Sequence, residues 1–395
     1  MTDILLIYDR MEPPVEMAEA FYLKFKDIYD CDIHCVSTAD IRTEDMNRCD
    51  VLIEIRPQSM LLARLAKIAR NSGRIAIANF DDDFLAIENF HLRRRIQEKA
   101  IISVLMNIDV LMSTNNSLLN KYKEIGDVHR WIKTDTAVTR DEMKDAPLPQ
   151  KRNESNDRRK IKIVYYCNDG SVNAFEEVVG AMIPKIVSTF GDNIVWTFIG
   201  TKPGIDSCVC DENVNYISHL SLEEFKRELK TGDYSYGIAP LMDNEFSNHK
   251  YINKFIEFTL AGIPCIYSNV SPYKEFITNG VDGFLCNNEQ SWIDAMKMMQ
   301  DPNIRYQIAK NAQSKLIKSF SVELISERIV NAVPEMGGYC ENIHKRTIKK
   351  IEMGLAKMEK VVYRCLDVLS RAYGRIRTEG FFSFFSYSIK RIVSR

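Results

Sequence analysis

Residues 237–285 read GIAPLMDNEFSNHKYINKFIEFTLAGIPCIYSNVSPYKEFITNGVDGFL. Two short apolar runs, YSYGIAPL at 234–241 and PCIYS at 264–268, bracket a helical pattern at 250–261. Each run contains Ile and sits among Asp, Asn or Gly, which reads as strand, helix, strand. At about 100° per residue, Lys250, Asn253, Lys254 and Glu257 share one arc of the helix, and Ile252, Phe255, Ile256 and Thr259 take the other side. One stripe thus offers two ammonium groups and a carboxylate from the first turns. A helix N-terminus attracts anions through its free N–H groups and dipole, so two lysines there suit a diphosphate. A carboxylate one to two turns further can accept from the vicinal hydroxyls of a ribose. The same residues also fit a solvated face of ordinary ion pairs.

The pattern repeats outward in both directions. Upstream runs at 161–167, 194–199 and 214–218 and a downstream run at 283–286 read as strands, with helices near 172–189, 221–230, 273–279, 289–300, 303–318 and 321–332. Before them, 3–9, 32–37, 50–56, 73–80 and 109–114 form a second series, interleaved with helical stretches such as 59–71 and 91–106. Such alternation gives a parallel sheet with helices on both faces. The charged, proline-bearing stretch RDEMKDAPLPQKRNESNDRRK at 140–160 interrupts it and reads as a linker. The expected fold is α/β: two doubly wound, Rossmann-like domains at 1–139 and 161–336, facing across a cleft, and a tail at 337–395.

Composition removes several classes. With 45% hydrophobic and 27% charged residues the chain is globular rather than disordered. It has no apolar run of about 18 residues, and MTDILLIYDR lacks the basic start of a secretory signal. None of the ten cysteines forms a C-x-x-C pair, so reduced cytosolic thiols and no metal site are expected. There is no Walker A, GxGxxG, HExxH or GxSxG sequence. Charge is uneven: residues 341–395 carry 13 Lys/Arg and 5 Asp/Glu, a net of +8, against −9 for the rest. A basic tail on an acidic body points to an anionic partner for the tail.

The segment resembles the C-terminal domain of GT-B glycosyltransferases, especially retaining glycosyltransferase family 4 of bacterial polysaccharide synthesis. The resemblance rests on PLMDNEFSNHK, then Lys250, Lys254 and Glu257, then AGIPCIYS, SPYKEFITNGVDGFL and SWIDAMKMMQDPNIRYQIAKNAQ. It covers roughly 237–313, and the alternation extends it to about 160–335. It implies that Glu257 is the second acid of the family's E-x7-E motif and binds the ribose, and that Lys254 meets the diphosphate. The first acid falls at His249, a departure that leaves the donor-sugar contact open between a ligand role and a surface histidine. The loop CNDGSVNAF lacks the family's basic residue, and the N–H groups of Gly170 and Ser171 are candidates to replace it. Thr201 and His219 follow strands on the expected ligand side. The run Asn79-Phe80-Asp81-Asp82-Asp83-Phe84 resembles a DDD-containing loop of some of these enzymes, with Asp82 as an acceptor-side base or the acids as helix caps.

The resemblance implies a sugar transfer from a nucleotide-diphosphate donor to a glycan or lipid-linked acceptor. It needs no cofactor beyond the donor and no metal, since lysines and helix dipoles meet the diphosphate. A sugar-nucleotide epimerase, or an inactive nucleotide-sugar-binding scaffold subunit, remains open. Ile348, Ile351, Leu355, Met358, Val362, Cys365, Leu369, Ala372 and Ile376 follow heptad spacing ahead of FFSFFSYSIKRIVSR. This tail suits an anionic membrane surface, a homo-oligomeric coiled coil or a helix docked on the body. The expected place is the cytoplasm, peripheral at the inner face of the cell membrane, with no nucleic acid partner.

Overall fold

The computed structural model describes residues 1–86, 92–148, 160–167, 172–204, 209–338 and 345–379. The chain divides into two compact units, Met1–Thr136 together with the chain from Ile325 onward, and Ala137–Leu324.

The first unit runs β1 (Thr2–Tyr8), α1 (Pro13–Lys26), β2 (Cys31–Ser37), α2 (Thr43–Arg48), β3 (Val51–Ile55), α3 (Met60–Asn71), β4 (Ile75–Phe80), α4 (Leu92–Leu105), β5 (Val110–Ser113), α5 (Asn116–Gly126) and β6 (Arg130–Lys133). Its sheet is parallel, in the order β2-β1-β3-β4-β5-β6. Both faces are covered, which is why its strands read as nearly unbroken apolar runs. Leu5, Leu52, Ala76 and Leu111 meet Leu61, Leu65, Ile101 and Leu118 in one core. The sequence reading lacks β6. Arg130 and Lys133 bound it, only Ile132 is buried, and it sits at the sheet edge, where little of a strand's apolar signal survives. Glu12-Pro13-Pro14 opens α1, a place where proline loses no hydrogen bond.

The second unit runs α6 (Arg140–Lys144), β7 (Ile161–Cys167), α7 (Val172–Val178), α8 (Ile183–Phe190), β8 (Ile194–Gly200), β9 (Val214–Ile217), α9 (Leu222–Thr231), β10 (Tyr236–Ala239), α10 (Glu245–Asn248), α11 (Asn253–Leu260), β11 (Cys265–Ser268), α12 (Tyr273–Phe276), β12 (Phe284–Cys286), α13 (Glu289–Met298) and α14 (Pro302–Phe320). Its parallel sheet has the order β12-β11-β10-β7-β8-β9. The single helix expected at 172–189 is two, and proline opens the second. The front of the expected linker belongs to this unit. Thr139 and Glu142 form a capping box on α6, and Gln313 Nε2 donates to the Pro147 carbonyl at 2.8 Å. A Cβ on Gly262 (φ +71°) would lie 2.0 Å from that carbonyl oxygen, so the AGIPC turn requires glycine. The rest of the linker, 149–159, lies outside the described residues.

α15 (Val322–Ala332) carries the chain back to the first unit, and α16 (Lys350–Glu379) packs there on α3 and α4. Residues 325–336, which the alternation groups with the second domain, therefore belong to the first. The tail is not separate either. Ile348, Met353 and Ala356 are buried in the first core, and Asn47 exchanges hydrogen bonds of 3.1 and 2.8 Å with the Ile348 backbone. The heptad seam docks only through its first member, Ile348: from Ile351 on it turns outward, with Ile351, Leu355, Met358 and Val362 52–68% exposed. Three-and-four spacing fits more than one face of this helix. No helix among the described residues is long and apolar enough to cross a membrane.

Candidate functional site

The order of strands in the second sheet reverses between β7 and β10. In open α/β sheets ligands sit beyond the carboxyl ends of the strands at such a point. β7 ends there in Tyr165-Tyr166-Cys167, and α11 begins after β10. Phe255, Ile256, Phe258 and Thr259 bury one side of α11. Lys254 and Glu257, one turn apart, stand on another.

Tyr166 ties these two together. Its carbonyl accepts from Lys254 Nζ at 2.5 Å, and its hydroxyl donates to Glu257 Oε2. The Lys254 ammonium lies 3.4 Å from the Tyr166 ring centroid and 4.9 Å from that of Tyr165, a cation over two aromatic faces. Burial pushes Lys254 down to about 7, and the charge of Lys250 acts in the same direction. Burial pushes Glu257 up to about 8. A lysine and a carboxyl moved toward neutrality at a sheet's ligand end mark a candidate site on physical grounds.

The expected helix at 250–261 starts later, at Asn253. Asn244 caps the short α10 with 2.8 Å to Ser247 N, and Ile252 takes a non-helical conformation before α11. Lys250 is thus a loop residue, 5.0 Å from the Phe246 ring, and not part of a helical stripe. Asn253 is exposed in the first turn. His249 follows α10 and is only 6% exposed, so it is not a surface histidine.

Thr201 N donates to the Cys167 carbonyl at 3.0 Å, joining the ends of β7 and β8. Gly200 (φ +95°) makes this possible, because a Cβ there would lie 2.2 Å from the Cys167 oxygen. His219 Cε1 would lie 3.4 Å from that same Cβ on Gly200, and its side chain is exposed. Thr201 thus bonds Cys167, and His219 stands beside Gly200. Gly170 and Ser171 lie outside the described residues.

In the first unit the acidic run divides by partner. Asp83 is fully buried, paired with Lys121 at 2.7 Å, bonded by Tyr122 Oη at 3.1 Å and accepting from Leu85 N at 3.0 Å. Asp81 and Asp82 pair with Arg56 at 3.0 and 3.3 Å, and Glu12 joins the same guanidinium at 3.0 Å. Burial first and Asp82 second raise Asp81 to about 7, against the pull of Arg56. Arg56 holds this fan from a left-handed backbone (φ 51°), an uncommon state for a residue with a side chain. A pocket of about 690 Å³ opens beside it, lined by Asp9, Arg10, Gln58, Gln97, Lys360 and Tyr363 among others.

Sequence reasoning missed Tyr166 and Arg56. Position is the signal that finds both: each stands at or just past the carboxyl end of a strand that pairs at its sheet's reversal.

No protein-family model matches the chain, and no curated protein matches it in sequence. Solved structures do match. Anabaena HepE in complex with UDP and glucose aligns with a TM-score of 0.61 at 10% identity, over 85% of this chain and 100% of that one. Sucrose-phosphate synthase from Thermosynechococcus elongatus aligns with 0.57 at 10% identity, over 85% and 99%. TarM aligns with 0.53 at 13% identity, over 71% of this chain and 54% of TarM, so the match spans about half of that protein. Two six-stranded parallel sheets joined in this order give the chain the GT-B fold, as the sequence resemblance implies.

Proposed function

We propose that the chain is a glycosyltransferase that moves a sugar from a nucleotide-diphosphate donor to a glycan or lipid-linked acceptor in cell-surface polysaccharide synthesis, with retention at the anomeric carbon. The observation that carries this reading is the gathering of Lys254 and Glu257 on Tyr166 at the reversal of the second sheet. Lys254, with Lys250 beside it, stabilises the charge that develops on the leaving diphosphate. Glu257 accepts from the ribose hydroxyls. Thr201 and His219 take the base side, His249 meets the donor sugar or a phosphate, and the N–H groups of Gly170 and Ser171 assist the diphosphate. Asp82 orients the acceptor hydroxyl from the first unit. The lysines supply the charge that a bound metal supplies elsewhere, and the reading asks for none.

Glu257→Gln tests it. A carboxylate accepting from a diol makes charge-assisted bonds worth about 1.5–3 kcal/mol, so at pH 9, where Glu257 is ionised, affinity for the best of UDP, GDP, ADP, CDP and dTDP should fall at least tenfold by calorimetric titration. Unchanged affinity removes the ribose role. The second reading, an inactive nucleotide-sugar-binding subunit, is favoured by His249 standing where the family has an acid. Sugar transfer by the purified chain decides between them.

The proposed partner of the tail is an anionic membrane. Ile351, Leu355, Met358, Val361 and Val362 expose one apolar face of α16, and residues 341–395 carry a net charge of +8. Apolar insertion and attraction to acidic headgroups then act together. The aromatic run at 381–385 lies outside the described residues. The double change Leu355→Glu and Met358→Glu is expected to lower co-sedimentation with phosphatidylglycerol vesicles about tenfold or more, with the melting temperature unchanged. Equal sedimentation defeats the membrane contact, and a dimer that the double change converts to monomer assigns the face to a second copy.

A further inference from the structure

We propose that Tyr166 is a positioning residue that competes with the nucleotide for Glu257, its phenol donating to the carboxylate that the ribose hydroxyls use. The inference rests on the ribose role proposed for Glu257. Among the described residues, the Tyr166 hydroxyl makes the only hydrogen bond that reaches this carboxyl. The ring is held from the side by Phe225 and Phe258, with centroids at 4.7 and 5.4 Å, both edge-on. The Lys254 ammonium stands over its face and bonds its carbonyl. One tyrosine thereby fixes the rotamers of both residues that the nucleotide meets.

A phenol and a ribose hydroxyl present the same O–H donor, so a nucleotide that binds Glu257 displaces a hydrogen bond rather than filling an unused acceptor. Two vicinal hydroxyls against one phenol make the exchange favourable. The competing bond lowers affinity below what the carboxylate alone provides. The ring and carbonyl of Tyr166 still hold Lys254 after the hydroxyl has been displaced, so the cation stays in place for the diphosphate.

The charged and titratable groups that face the pair are Lys250, Tyr165, Cys167, Cys265 and Tyr273. The nucleotide favours charged Lys254 and ionised Glu257. The first is lost as pH rises through about 7 and the second gained as it rises through about 8. Ionisation of Glu257 therefore sets an acid limb of the affinity profile and deprotonation of Lys254 an alkaline limb.

The test is titration calorimetry of the full chain with UDP, GDP, ADP, CDP and dTDP between pH 6 and 9, comparing wild type, Tyr166→Phe, Glu257→Ala and the double variant. Phenylalanine keeps the ring and the carbonyl and removes only the hydroxyl. Tyr166→Phe is expected to tighten binding of the best ligand roughly tenfold at pH 9, where Glu257 is ionised. It should also move the acid limb of the profile to higher pH, because the phenol's hydrogen bond favours the ionised carboxylate. In the Glu257→Ala background the same change should have no effect on affinity. A wild type that binds, with Tyr166→Phe binding equally or more weakly and the acid limb unmoved, overturns the competition while leaving the ribose role intact. Equal binding by wild type and Glu257→Ala removes the ribose role, and the competition with it. No binding by any of the four proteins removes both.

Discussion

Replacing Ala356 by glutamate is expected to unfold the first unit. Ala356 has no exposed surface and lies in a core with Leu61, Leu65 and Ile101. A buried, unpaired carboxylate costs several kcal/mol, and whole domains are stable by only about 5–15 kcal/mol. Ending the chain at residue 340 should do the same by another route. It removes Ile348 and Met353 from the core, the Arg346 carbonyl that accepts from Arg74 Nη1 at 3.0 Å, and the partner of Asn47. Met353→Ala is the milder version, at about 2–5 kcal/mol for a lost core methionine. Scanning calorimetry reads these changes as loss or lowering of one transition while the transition of the second unit, which α16 does not complete, persists. An unshifted first transition in Ala356→Glu shows that α16 is not part of that core.

Lys254→Ala is expected to lower kcat/KM by about 10²–10³, the usual cost of removing one donor aimed at transition-state charge. Steady-state transfer, measured with whichever nucleotide sugar proves active, checks it. A value within threefold of wild type defeats the diphosphate role. Stability should change in the opposite sense. The unfolded lysine keeps its proton to about 10.5 and the folded one releases it near 7. The unfolded chain therefore binds more protons in that window, and this group's contribution to stability rises with pH from 7 to 10.5. Below pH 7 the folded protein bears the full cost of a buried charge, and alanine removes that cost. A variant that is less active and at low pH no less stable separates function from folding.

Much of this was legible from the residues because parallel strands covered on both faces carry dense apolar runs. IKIVYYC, IVWTFIG and DILLIYD declare themselves, and RWIK does not, since an edge strand with one buried side chain has no such run. The stripe of Lys254 and Glu257 was readable from helical spacing. The start of α11 was not, because the side chain of Asn244 and the conformation of Ile252 place a break that periodicity carries straight through. Heptad spacing marked the apolar face of α16 correctly, but which face meets the body depends on the shape of α3 and α4. Tyr166 was hidden for a different reason. A tyrosine in a strand is ordinary core by composition, and only the pairing of β7 beside β10 puts its hydroxyl on Glu257.

The return of α16 to the first unit also orders events during synthesis. The second unit is one continuous stretch, Ala137–Leu324, and holds all of its own core residues when residue 324 has emerged. The first unit begins earlier but lacks Ile348, Met353 and Ala356 until residue 356 has been made. At roughly 5–20 residues per second, the interval between its last strand and its closing helix is on the order of 10–40 s. Throughout that interval the side of α3 and α4 that α16 covers is an uncapped apolar surface on the nascent chain. The usual order is thereby reversed: of the two units, the one translated first is the one completed last.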